Sequence, residues 1–199
     1  LDPAKYDIFL ASDPRYLSLI GNSMPFTFKE IRSIPSSQFL QALKKGKPVY
    51  DSPTLAKYVE DDLRLLNELQ PALVIGDFRL SLAISAPKMG IPYASIVNSY
   101  WSPYANIRYT VPHLPQLSLL GDTLAQMIFN LVRPLVFAIH SMPLNMVRRR
   151  YGLPSLGPDL RSVYSWADYT LYADISEAVP MTLLPPNHTF LGPVYWSPE

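Results

Sequence analysis

Short apolar runs of strand length alternate along this chain with longer stretches that carry apolar residues every three or four positions. Residues 6–11, 72–76, 93–97, 169–173 and 189–192 read as strands, and 31–34 as a shorter one. The runs at 72–76 and 93–97 are almost continuously apolar, the pattern of strands buried on both faces of a parallel sheet. Between them Leu55, Val59, Leu63, Leu66 and Leu69 make one helical stripe. Ser52-Pro53 is its start signal, with Ser52 as cap and proline at the first helical position, and Pro71 stops it. Residues 79–89 predict a shorter helix that ends at Gly90, with Pro92 just beyond. Strand, helix and strand at these intervals imply right-handed crossovers. The expected class is α/β: a doubly wound, mainly parallel, Rossmann-like sheet flanked by helices.

The stretch 117–150 is apolar but interrupted by Asp122, Gln126, Asn130, Arg133, Pro134 and His140, and it ends in Arg148-Arg149-Arg150. No run reaches the ~18 apolar residues of a spanning segment. The basic end invites a membrane-surface reading. Two packed helices, broken near Pro134 and closed by a solvated basic terminus, are the reading preferred here.

Composition narrows the function classes. The chain has 199 residues, 48% of them hydrophobic, so it is long enough for one domain with a real core. Seventeen Lys and Arg against 16 Asp and Glu leave a net charge of +1, which gives no nucleic-acid footprint. With no cysteine there is neither a disulfide framework nor a thiolate site. The 21 prolines are about double the usual ~5% and punctuate a folded chain. The three histidines, His113, His140 and His188, have no metal-ligand spacing, so no metal site is expected. His140 reads as a core or half-exposed residue and His188 as a turn residue, while His113, in a proline-rich loop, is a candidate border of a binding site. Neither a glycine-rich phosphate loop nor a nucleophile elbow occurs.

Four segments carry a resemblance. Pro71-Ala72-Leu73-Val74-Ile75-Gly76-Asp77-Phe78, then 82–92 ending in Gly90-Ile91-Pro92, then 96–104, and finally Phe190-Leu191-Gly192-Pro193-Val194, stand in order and spacing. Together they resemble the acceptor-binding, N-terminal domain of nucleotide-sugar glycosyltransferases of the two-Rossmann-domain (GT-B) type, nearest the bacterial macrolide and flavonoid branch. The resemblance is strongest over 71–104 and 151–198. It implies that residues 1–199 are an acceptor-domain fragment, without the first strand and its base histidine and without the C-terminal donor domain. A doubly wound sheet lacking its first strand should be completed by something else or be visibly disturbed.

The resemblance also implies chemistry. Sugar transfer needs a base for the acceptor hydroxyl, and a carboxylate that orients a histidine base is the logic of a catalytic triad. Asp77 matches the family's carboxylate, at the end of a strand where α/β sites form; capping the next helix is its structural alternative. Phe78, Asn98, Tyr100, Trp101 and Tyr104 follow two strand ends and suit a flat, lipophilic, hydroxylated acceptor such as a flavonoid; with His113 they are the expected acceptor-binding residues. The implied enzyme is inverting and metal-independent. It uses a UDP- or dTDP-sugar as co-substrate, holds no cofactor, is cytoplasmic, and needs its donor domain in cis or in trans. Two other readings stand beside it: a non-catalytic small-molecule binding module, and one half of a split glycosyltransferase.

Overall fold

Among the described residues the strands pair in parallel, as the alternation of strands and helices requires, with one isolated antiparallel bridge between Ala105 and Met181. The computed structural model describes residues 2, 4–19, 26–110 and 121–194. β1 (Phe9–Ser12) pairs with β2 (Thr27–Glu30), Phe9 opposite Thr27. β3 (Val74–Asp77), β4 (Tyr93–Val97), β5 (Tyr169–Tyr172) and β6 (His188–Phe190) form a second sheet in that order. The second strand therefore lies at 27–30 and not at 31–34. Ile31 gives its N–H to Ser12, and the chain then turns through Pro35 into α1 (Ser36–Lys44), a helix not foreseen from the sequence.

The strands of the described residues thus fall into two sheets, β2–β1 and β3–β4–β5–β6. This division is the disturbance expected of a doubly wound sheet without its first strand. Its cost is visible on β3. Leu73 and Ile75 are 43% and 41% exposed, against the expectation of a strand buried on both faces. An edge strand keeps one row of backbone groups and part of its faces open.

What joins the two sheets is α2 (Ser52–Leu69). Asp51, one residue earlier than expected, is its cap: the carboxylate accepts the Thr54 N–H at 2.8 Å, and Ser52 and Pro53 are the first helical residues. Leu55 and Val59 enter a core with Ala83, Ile84 and Ala86 of α3 (Leu82–Met89), Leu144 and Val147 of α4 (Asp122–Arg150), and Val163 of α5 (Leu160–Ser165). Two consecutive acids on α2 are also buried. Asp62 accepts from Arg79 Nε at 3.1 Å, Arg79 Nη2 at 2.8 Å and Ser85 Oγ at 3.3 Å. Asp61 accepts from Arg32 Nη2 at 3.1 Å, and Arg79 Nη1 donates to the Arg32 carbonyl at 2.6 Å. Arg79 also lies 4.1 Å over the Tyr58 ring. The segment after β2 and the turn after β3 are therefore clamped to one helix.

Gly76 has a direct steric reason. A Cβ there would sit 2.5 Å from Leu82 Cδ1 and 3.2 Å from Tyr93 Cε2, so its absence lets α3 and β4 close on β3.

The stretch expected as two helices is one. α4 runs unbroken for 29 residues through Pro134 and Pro143. Tertiary bonds hold its second half: Ser141 Oγ donates to the Pro158 carbonyl at 3.1 Å, and Asn145 Nδ2 to the Gly157 carbonyl at 2.7 Å. The basic end is not wholly solvated either. Arg148 is 2% exposed, donates to the Pro154 carbonyl at 2.8 Å and to the Ala83 carbonyl, and lies 4.7 Å over Trp166. Only Arg149 and Arg150 face solvent.

Candidate acceptor site

β3 and β4 end side by side, with Asp77 opposite Ile96. This C-terminal edge is where doubly wound sheets form their crevice. Phe78, the first residue past β3, has φ of +50°. A non-glycine residue held there costs on the order of 1 kcal/mol and persists only where the surroundings fix it, which happens mostly at functional sites. The turn lets the chain reach Arg79 and its clamp at once.

Phe78 begins a continuous ladder of rings. Its ring meets Tyr164 edge-on at 5.0 Å, and Tyr164 meets Trp101 at 5.0 Å. Trp101 then meets Tyr100 at 5.6 Å, Tyr100 meets Tyr109 at 5.3 Å, and Tyr109 meets Phe137 of α4 at 5.7 Å. Each such contact is worth about 0.5–1.5 kcal/mol beyond area burial, so the ladder is a firm wall. Burial pushes the Tyr164 phenol up to about 12, keeping it a neutral donor and acceptor. Arg133 lies 4.8 Å over Tyr109 and puts a positive charge at the far end.

Asp77 is exposed just before Phe78, and its side chain makes no hydrogen bond or ion pair among the described residues. Desolvation by the surrounding fold still raises its carboxyl above the usual carboxylate value. It does not cap α3, whose N-cap is Ser81. Asn98 is exposed at the start of the 3-10 turn Ser99–Trp101, and its carbonyl accepts the Trp101 N–H at 2.9 Å. Asp174 Oδ2 fixes that turn from β5's side by accepting the Ser99 N–H at 2.5 Å.

Tyr104 stands apart from the ladder. Its ring packs on His188 at 5.5 Å, over β5 and β6. There the Tyr172 hydroxyl lies 2.7 Å from His188 Nδ1 and 2.8 Å from Ser102 Oγ. His188 opens β6 and is hydrogen-bonded, so it is more than a turn residue, and burial holds its ring below the usual imidazole value. His140 is half-buried, with Nδ1 2.8 Å from the Val136 carbonyl. His113 lies outside the described residues.

Tyr164, Tyr109 and Phe137 were not legible as site residues. They come from three distant segments, and no local spacing marks a ring that meets Phe78 or Tyr100 across the fold.

No family model matches the chain. Its whole length aligns with a Mycobacterium tuberculosis protein named PGL/p-HBAD biosynthesis rhamnosyltransferase, at 50% identity over 198 residues and 44% of that protein. It aligns equally completely, at 45% identity and over 54% of the relative, with a protein of Mycobacterium bovis BCG named inactive PGL/p-HBAD biosynthesis glycosyltransferase. The chain is a relative of glycosyltransferases. It spans about half the length of the curated relatives it matches. Among solved structures, the kitacinnamycin glycotransferase superposes on 98% of this glycosyltransferase relative with a TM-score of 0.59 at 16% identity, over 46% of its own chain. The spinosyn forosaminyltransferase does so with a TM-score of 0.54 at 14% identity. These likenesses show the shared α/β fold.

Proposed function

We propose that residues 1–199 are the acceptor-binding, N-terminal part of an inverting, metal-independent glycosyltransferase. It moves a sugar from a UDP- or dTDP-sugar to a hydroxyl of a lipophilic aromatic acceptor. The observation that carries this reading is Asp77, exposed and unpaired, beside a strained Phe78 that opens a wall of six rings. In this reading the ladder takes the flat face of the acceptor. Asp77 orients a histidine supplied from outside residues 1–199, on a strand seated along the open edge of β3, and stabilises the imidazolium as the acceptor hydroxyl loses its proton. The donor half lies outside the chain, in cis or in trans. The reaction is cytoplasmic. A deoxyhexose is the first donor to try, since one relative is named a rhamnosyltransferase.

A second reading, a binding module without chemistry, is favoured by the relative named inactive, which is 45% identical over the whole chain. One comparison separates the two. The natural full-length protein is assayed with dTDP-rhamnose and UDP-glucose on phenolic acceptors, beside its Asp77→Asn and Trp101→Ala variants. Loss of the aligning carboxylate should cut kcat by about 10²–10⁴-fold with little change in acceptor affinity. Trp101→Ala should raise the acceptor KM more than it lowers kcat. Acceptor binding that persists with no turnover on any donor would establish the module instead.

A further inference from the structure

The largest feature that the proposed site leaves unused is the outer face of α4. Leu124, Ile128, Leu131, Leu135, Ile139, Met142 and Met146 recur every three or four residues and are 36% to 83% exposed, with Met127 (65%) beside them. They make one continuous stripe along most of a helix of 29 residues, about 40 Å at 1.5 Å per residue. The helix is long and apolar enough to cross a membrane. Its second half is held on the domain, however, because Leu144, Val147, Ser141 and Arg148 on its other face are packed and hydrogen-bonded, and its first half is tied by Gln126 Nε2, which donates to the Tyr109 carbonyl at 2.9 Å, and by Phe137 against the Tyr109 ring. A helix fixed along one side lies on a surface and does not span it.

Charge says what the surface is. After Asp122, α4 contains no acidic residue, and it ends in the exposed Arg149 and Arg150, neither of which has a carboxylate partner among the described residues. A second element repeats the pattern. α1 has no acidic residue, exposes Leu40 and Leu43 at 53% and 54%, and leads into the exposed Lys44, Lys45 and Lys47. The segment after these lysines lies against α4. Pro48 and Val49 share a small cavity with His140 and Pro143, and Ser52 Oγ contacts the Pro143 carbonyl at 3.4 Å. Two acid-free elements, each apolar outward and each followed by cations, are thus joined at one place on the fold.

We propose that the α4 stripe, with Lys44, Lys45, Lys47, Arg149 and Arg150 beside it, docks this protein peripherally on an anionic lipid bilayer. The apolar side chains sink to the acyl boundary while the cations meet the headgroups. The docking is independent of the proposed transferase chemistry. It would bring a lipophilic acceptor to the protein at the bilayer.

The test is co-sedimentation of the natural full-length protein with vesicles of phosphatidylcholine plus phosphatidylglycerol, and with phosphatidylcholine alone. Wild type should bind the anionic vesicles at least tenfold more tightly, with high salt weakening the binding. Leu131→Glu with Leu135→Glu changes only exposed positions and should abolish binding while the circular dichroism spectrum is kept. Arg149→Ser with Arg150→Ser should lower affinity for the anionic vesicles about tenfold or more and leave the weak binding to neutral vesicles unchanged. Wild type that fails to bind anionic vesicles overturns the proposal, as does binding that survives both leucine changes. A wild-type dimer that the glutamates dissociate, without any vesicle binding, also overturns it and assigns the stripe to a second copy.

Discussion

Replacing Asp62 by alanine strikes the link between the two sheets. The Asp62 and Arg79 side chains are 4% and 12% exposed, so the substitution leaves a largely buried guanidinium without its carboxylate. Removing one partner of a buried pair typically costs about 3–5 kcal/mol. Arg79 keeps the Arg32 carbonyl at 2.6 Å and the Tyr58 ring at 4.1 Å, which places the expected loss near the lower end, about 3 kcal/mol. That is roughly a hundredfold in an opening equilibrium. Because the clamp spans the segment after β2, α2 and the turn after β3, hydrogen exchange should rise together in peptides covering 27–34 and 74–81. The rise should be smaller over β5. The double change Asp62→Ala with Arg79→Met removes the stranded charge along with its partner and should recover at least half of the loss. An exchange increase below about fivefold in Asp62→Ala would refute the clamp, since fivefold is only about 1 kcal/mol. A double variant no better than the single one would refute the charge as its cause.

Other expectations follow from the same packing. Gly76→Ala drives a methyl into Leu82 and the Tyr93 ring, and should cost about 1–3 kcal/mol in urea unfolding, partly relieved by Leu82→Ala. Asp51→Ala removes the α2 cap and should cost about 1 kcal/mol at neutral pH. Hydrogen bonding from Thr54 holds the Asp51 carboxyl below its usual value, so that contribution is present above the unfolded-state value near ~3.9 and is lost as pH falls through the folded one. The difference between variant and wild type should therefore shrink in strong acid, as read by thermal unfolding at several pH values. His188 is held below the usual imidazole value by burial, so the unfolded chain binds its proton first. Stability should then fall as pH drops below about 6.5, and His188→Gln should flatten that slope. An unchanged slope would deny His188 the role.

Much of the fold was legible because it follows from local rules. Apolar runs at 72–76 and 93–97, divided by a helix that ends at Gly90, specify parallel strands and a crossover wherever they occur in a chain. The placement of the candidate residues was legible for the same reason: Asp77 ends β3, Phe78, Asn98, Tyr100 and Trp101 come after adjacent strand ends, and topology alone places such residues on one edge. The cap of α2 was misplaced by one residue because Asp51 and Ser52 are both good caps, and only the chain's approach angle chooses between them.

Tertiary structure decided the rest. That Tyr164, Tyr109 and Phe137 extend the ring wall, and that Tyr104 leaves it for His188, depends on contacts across dozens of residues, which no periodicity records. Nor could any pattern foretell that Arg148 turns inward while its two neighbours face water, since a run of three arginines reads the same in either case. The long helix shows the limit most plainly. Its sequence determined that one side would be apolar; only the packing of its other side, on α2 and α5, left that apolar stripe facing outward, because a hydrophobic pattern states what must be buried and never against what.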